Sequence, residues 1–207
     1  MYVLNIPFKT FLATLDHTLG NCQTILDVGC GGNSPLHHLP RRKYTVGVDG
    51  YAPDIESSKK NNWHDLYYVS DIQTINKQFP LKSFDAVIAL DVIEHLHKPA
   101  GEKLLAALEA IAQKRVIVLT PNGFIRQAGR DNKLQEHLSG WSVADLEAHG
   151  YTVQGMYGWK PLRKEEASLR FRPKLFWGFL SELTHHAYTR NHPEYAFSLM
   201  AWKDVGS

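Results

Sequence analysis

The sequence is poor in several things that would have assigned it a class at once. It has only 2 cysteines in 207 residues, too few for a disulfide framework, so a reducing compartment is expected, the cytoplasm. Charge of one sign is missing as well: 23 Lys and Arg stand against 21 Asp and Glu, and this balance names no partner by itself. Every apolar run breaks well short of the roughly 18–20 residues that a membrane span requires. The first residues show no charged-then-apolar leader pattern, and neither an internal repeat nor a low-complexity tract occurs. What remains is a chain long enough for one α/β domain over residues 1–207, able to bury roughly 70–75% of its unfolded surface.

Short apolar runs alternate with helical stretches. Phe8, Phe11, Leu12, Leu15 and Leu19 recur at helical spacing and stop at Gly20, which predicts an amphipathic helix within residues 1–23. Strands are expected at Thr24–Val28, Thr45–Val48, Tyr67–Val69, Ala86–Leu90 and Val116–Leu119, with a helix at Pro99–Gln113. That alternation is the pattern of a parallel sheet with crossover helices. Ser142 and Asp145 form a capping-box pair ahead of a short helix that ends at Gly150. Two more strands are expected at Tyr151–Tyr157 and Glu194–Lys203, the last apolar on both faces and therefore sandwiched. Between them, residues 158–193 are too long for a hairpin loop. They read as an insertion with a helix from about Lys174 to Tyr188, whose Phe176, Trp177, Phe179 and Leu180 could furnish an apolar lid; an RNA-binding face or a membrane-surface helix are the other readings of its cations and aromatics.

A doubly wound sheet binds its ligand beyond the C-terminal ends of its strands, and the polar residues gather there. The first strand runs into Gly29, Cys30, Gly31 and Gly32, a turn with so little bulk that a ligand can lie on the backbone; Ser34 and Pro35 fit the start of a following helix with free N–H groups. Asp49 follows the second strand, 18 residues beyond Gly31, where a carboxylate can accept both hydroxyl protons of a ribose. Asp71 can take an exocyclic amine while Ile72 packs on a base. Asp27, two residues before the first glycine, would repel a pyrophosphate but suits a cationic amino-acid tail. Ser34 also stands where the third glycine of a dinucleotide fingerprint would be. Both features disfavour NAD.

In order and spacing, "ILDVGCGG", "VGVD", "SDI", "FDAVIALDVIEHL" and "RVIVLTPNG" resemble the class I S-adenosylmethionine-dependent methyltransferases, of the type 11 and 23 kind, over about Thr24 to Tyr157. The resemblance implies a Rossmann-like seven-stranded sheet of order 3-2-1-4-5-7-6 with an antiparallel last strand. It also implies S-adenosylmethionine as cofactor, with Asp27 orienting its ammonium, Gly29, Cys30 and Gly31 against the methionine portion, and Asp49 and Gly50 at the ribose. Asp71 and Ile72 would then lie at the adenine and Leu90 near the methyl-bearing end. The implied reaction is methyl transfer to an acceptor nucleophile, with His95 as general base assisted by Glu94 if the acceptor atom carries a proton.

Asp91, Glu94 and His95 stand at i, i+3 and i+4, so they are expected on one side of a helical turn, with His137 approaching from a later loop. This is similar to the Glu-x-x-Glu-His cluster of small-RNA 2′-O-methyltransferases and some quinone-biosynthesis O-methyltransferases, which makes metal ligation by Asp91, Glu94, His95 and His137 the alternative to a metal-free site. Asn122 could contact substrate or simply serve its turn, and His137 and Trp141 could face substrate or pack the loop. A small-molecule acceptor, methylated at oxygen, is the leading expectation. An RNA acceptor and a non-catalytic cofactor-binding protein are the rivals.

Overall fold

The computed structural model describes residues 6–40, 43–129, 132–164 and 167–206. Seven strands form one sheet: β1 (Thr24–Val28), β2 (Tyr44–Asp49), β3 (Leu66–Val69), β4 (Phe84–Leu90), β5 (Ala112–Pro121), β6 (Thr152–Trp159) and β7 (Ala196–Asp204). Their order is β3-β2-β1-β4-β5-β7-β6, and β7 runs antiparallel to both neighbours. The expected architecture is therefore present, including the sandwiched last strand. Helices α1 (Ile6–Leu19), α2 (Ala52–Asn61), α3 (Lys98–Ile111), α4 (Val143–Ala148) and α5 (Lys174–Thr184) complete it. No described helix is long and apolar enough to cross a membrane.

The strands are apolar on both faces because both faces are covered. Leu26, Val28, Val46, Val87 and Val116 pack on one side with Leu104, Leu105 and Leu108 of α3; Ile25, Ala86, Ile88 and Ile117 pack on the other with Phe11, Leu15 and Leu19 of α1. Alternation along β1 then sends Asp27 to the α1 side, the same side as Ile25. Gly20 ends α1 at φ +55, its N–H donating to the Asp16 carbonyl. Ser142 and Asp145 close a reciprocal capping box on α4.

Three local expectations are corrected. The segment after the glycine turn is a four-residue 3-10 turn, Pro35–His38, rather than a helix with an array of free N–H groups; Ser34 caps it by accepting from Leu36 N–H. The helix expected at Pro99–Gln113 gives up Ala112 and Gln113 to β5, since Ala112 pairs with Phe84 in the sheet. The insertion's helical stretch has the expected extent but not one form throughout: α5 ends at Thr184 and continues directly into a π turn, His185–Thr189. α5 lies beside β6, the outermost strand, with Gly158 pressed so closely on Ser181 that a Cβ there would lie 2.2 Å from its carbonyl oxygen.

Candidate active site

Two adjoining cavities open where β1, β2, β4 and β5 end. The smaller, about 330 Å³, is lined by Gly29, Gly31, Asp49, Gly50, Asp54, Asp71, Ile72, Asp91, Val92 and His95, and roofed by Asn132, Leu134 and Gln135. The larger, about 860 Å³, has Asp27, Cys30, Ser34, Leu90, Glu94 and His137 in its wall together with apolar Phe8, Phe11, Leu119, Tyr157 and Phe197. Gly29, Gly31, Asp54, Asp91, His95 and Gln135 belong to both. All nine residues expected to bind cofactor, and both expected to act in chemistry, thus line one cavity or the other.

Gly29 is at φ +72, and a Cβ there would lie 2.5 Å from a methyl of Val92; Gly31, at φ +57, has nothing within 4 Å of where its Cβ would be. The first glycine therefore closes the turn against β4, and the second leaves open space above the backbone. Asp49 is fixed between two amides, its carboxylate accepting from Gly31 N–H at 2.9 Å and Tyr51 N–H at 2.8 Å. Asp71 caps the next turn by accepting from Gln73 N–H.

Among the described residues, the two linings contain six carboxylic side chains, Asp27, Asp49, Asp54, Asp71, Asp91 and Glu94, and no Lys or Arg. A wall without Lys or Arg offers a pyrophosphate no partner, and those of its carboxyl groups that are ionised attract a cation. A nucleoside carrying a sulfonium and an ammonium fits both this charge and the open glycine cradle.

Asp27 is buried, accepts from Ser34 Oγ at 2.6 Å and lies 3.5 Å from His64 Nε2. Neither ring nitrogen of His64 has a hydrogen-bond partner in the protein, so this is a contact of proximity, without a formed bond. Burial, reinforced by the charge of Asp49 and opposed by Ser34, pushes the Asp27 carboxyl up to about 7. Burial lowers His64 to about 4. Both groups are consequently uncharged in slightly acid solution. His64 is a site neighbour that sequence reading missed: it arrives from the α2–β3 connection and packs over Gly47, where a Cβ would lie 2.5 Å from its ring.

His95 donates from Nδ1 to the Glu136 carbonyl at 3.1 Å, since a carbonyl can only accept, which makes Nε2 the basic nitrogen. Burial lowers its pKa. His137 is oriented alike, Nδ1 to the Ile125 carbonyl at 2.6 Å. Glu94 is buried; Oε2 accepts from Thr120 Oγ1 at 3.0 Å, and Oε1 has no partner in the protein. Burial, with the nearby Asp91 charge, raises its pKa well above the usual carboxylate range.

The expected helical alignment of Asp91 with Glu94 and His95 is corrected. Asp91 turns the chain at φ +54, and the 3-10 turn begins only at Ile93. Ligand-capable atoms of Glu94, His95 and His137 lie within 4.8 Å of one another, without Asp91 among them. Asn122 belongs to the turn: its side-chain amide donates to the carbonyls of Pro193, Glu194 and Ala196. Trp141 is fully buried and packs its loop. Phe176, Trp177, Phe179 and Leu180 line neither cavity, and Phe176 and Phe179 face solvent. The apolar wall expected from them comes instead from Phe8 and Phe11 of α1 and from Tyr157 and Phe197 of the sheet.

Residues 26–126 match the family described as the methyltransferase domain. The chain thus contains a methyltransferase domain, consistent with the S-adenosylmethionine-dependent methyltransferases that its motifs resemble. Several solved methyltransferases share the fold. A SAM-dependent methyltransferase from Archaeoglobus fulgidus superposes with a TM-score of 0.60 at 16% identity, over 95% of this chain and 92% of that one. The methyltransferase domain of bacterial CtHen1-C gives 0.59 at 18%, over 99% and 100%. The plantazolicin methyltransferase BpumL, solved with SAH, gives 0.57 at 17%, over 97% and 85%. A comparison with curated proteins finds no match. The methyltransferase domain implies S-adenosylmethionine as the cofactor.

Proposed function

We propose that this methyltransferase, acting as one domain, transfers a methyl group to an oxygen of a small, partly apolar acceptor. One observation carries the reading: the two cavities share a wall, and that wall contains His95. When bound, S-adenosylmethionine supplies an electrophilic methyl group on a positively charged sulfur. Asp49 would accept the ribose hydroxyls from its fixed position, Asp71 and Ile72 would take the base, and Gly50 would leave room beside the sugar. Gly29, Cys30 and Gly31 would lie along the amino-acid tail, with Asp27 answering its ammonium and Leu90 bordering the methyl. The acceptor would occupy the larger cavity among Phe8, Phe11, Tyr157 and Phe197.

His95 Nε2 would take the acceptor hydroxyl proton as the oxygen attacks, with Glu94 shaping the buried side of the turn. Positioning supplies most of the acceleration in such a displacement, and the base contributes where the oxygen starts protonated. Cys22 and Cys30 are both free thiols, in keeping with a cytoplasmic location.

Labelled S-adenosylmethionine, incubated with a fractionated cell extract, should place its label in small molecules. His95→Gln should abolish that labelling while leaving S-adenosylhomocysteine binding within about threefold. Label in RNA would redirect the acceptor assignment, and cofactor binding without transfer to any fraction would favour a non-catalytic binding protein.

A second reading, metal-assisted transfer, is favoured by the convergence of Glu94, His95 and His137 and by the unpartnered Glu94 Oε1. Oxygen and imidazole donors suit Mg²⁺, Mn²⁺ or a similar ion, which would lower the pKa of a bound hydroxyl. Activity that survives exhaustive chelation would remove this reading.

A further inference from the structure

α5 is amphipathic the wrong way round. Ser181 and Glu182, near its C-terminal end, are its buried residues, with Glu182 Oε2 accepting from Thr10 Oγ1 at 3.0 Å. Its outward face carries Leu175, Phe176, Phe179 and Leu183, exposed by 58%, 57%, 62% and 51%. At 100° per residue these four fall within one arc of about 100°. Phe171, also exposed, extends the patch through Trp177, its ring 4.8 Å away, and Phe176 in turn lies 5.3 Å from Trp177. A contiguous apolar surface of this kind on an otherwise soluble face marks something that covers it.

The charge around the patch selects the cover. Residues 158–195 hold seven Lys and Arg against four Glu, and within 167–192 the one carboxylate, Glu182, is buried by the fold. Arg170, Arg172, Lys174 and Arg190 are all exposed, and Arg170 and Arg172 flank Phe171 in the chain. A stable dimer needs roughly 20–30 residues a side, many more than the five apolar side chains available. A helix with Phe and Leu on one face, Trp and Tyr at its margins and cations beside it has the composition of an interfacial anchor. No described helix is long enough to span, so contact with lipid would be lateral.

We propose that residues 167–192 dock this methyltransferase on an anionic lipid surface, with Phe176 and Phe179 entering the headgroup boundary and Arg170, Arg172 and Lys174 pairing with lipid phosphate or carboxylate. The interaction is peripheral and reversible, since one 11-residue helix buries only a few side chains. It is independent of the acceptor reading above: of residues 167–192 only Ala167, at the start of the segment, borders the larger cavity, and none of the exposed apolar or cationic side chains of the patch lines either one.

Co-sedimentation of the full chain with phosphatidylcholine vesicles, with and without phosphatidylserine, tests it. The expected result is binding to the anionic vesicles at least tenfold tighter than to neutral ones, weakened by added salt. The double variant Phe176→Ser, Phe179→Ser should lose this binding. Arg170→Glu with Arg172→Glu should erase the preference for phosphatidylserine. As a gain-of-signal control, Phe179→Trp should show a blue-shifted emission on anionic vesicles only. All of these variants should keep the wild-type melting temperature and S-adenosylhomocysteine affinity. The proposal is overturned if wild type fails to sediment with anionic vesicles, or if the serine double variant binds them equally. It is also overturned if the patch instead mediates concentration-dependent dimerisation or retention by single-stranded RNA that the same substitutions abolish.

Discussion

Among the described residues, the two cavities at the strand tips are walled by six carboxylic side chains and no Lys or Arg, whereas residues 167–192 turn four cations outward and hide their one carboxylate. The net charge of +2 averages these two regions and describes neither. The acidic wall is enclosed, so its field acts at short range and through low dielectric on whatever cation enters. The basic surface is open to solvent, where only many charges together, or charges beside an apolar anchor, hold a partner firmly. The same chain can thus take a positively charged small ligand at one end and meet a negatively charged surface at another.

The sharpest test of the first region is the proposed base. His95→Gln should lower kcat by roughly 10²–10⁴-fold, with cofactor affinity little changed, as read by steady-state kinetics beside calorimetry. A parallel loss of S-adenosylhomocysteine binding would move His95 from chemistry to cofactor positioning. Next, Asp49→Ala removes the carboxylate that ties Gly31 and Tyr51 to β2 and the expected partner of the ribose. Cofactor affinity should fall by about 100-fold, equivalent to about 2.7 kcal/mol, in an isothermal titration.

Asp27 gives a smaller and more diagnostic effect. Its folded pKa is raised, to about 7, so the folded protein keeps a proton that the unfolded chain releases near 3.8. Stability from this group is complete below about pH 4 and is lost as pH rises through about 7, by up to roughly 4 kcal/mol. Thermal melts of the ligand-free protein between about pH 5 and pH 8 should show that decline, and Asp27→Asn should flatten it. A cationic tail beside Asp27 favours the carboxylate. Cofactor binding should therefore release a proton and tighten over the same interval, whereas Asp27→Asn should bind about tenfold more weakly at pH 8. An unchanged pH slope in Asp27→Asn would disconnect this residue from both effects.

The smallest effect on catalysis belongs to the second region. Phe176→Ser with Phe179→Ser should leave turnover of a soluble acceptor within about twofold. A large loss would show that the two regions are coupled after all.

Much of the site was legible because it is local or periodic. The strand ending at Val28, the glycine turn and the acids at 27, 49 and 71 follow from apolar runs and their punctuation, since a parallel sheet places every strand tip at one edge. Boundaries were less legible at Ala112–Gln113, where helical periodicity continues but pairing with β4 takes the residues. The spacing of Asp91 suits a helix, but the chain leaves β4 through a left-handed conformation at that residue. His64 gave no signal at all: it reaches Asp27 only because Gly47 leaves space between adjacent strands.

The sequence by itself determined the order of strands and turns, and with it the gathering of Gly29, Gly31, Asp49 and Asp71 at one edge, because hydrophobic period and glycine placement act along the chain. Only the tertiary structure decided that Phe8 and Phe11 wall the larger cavity and that α5 turns Phe176 and Phe179 away from it. The period of α5 marks an apolar face but not what that face meets, and this choice rests on what the sheet offers for contact. The edge strand β6 accepts Ser181 against Gly158, which leaves the aromatic face to solvent.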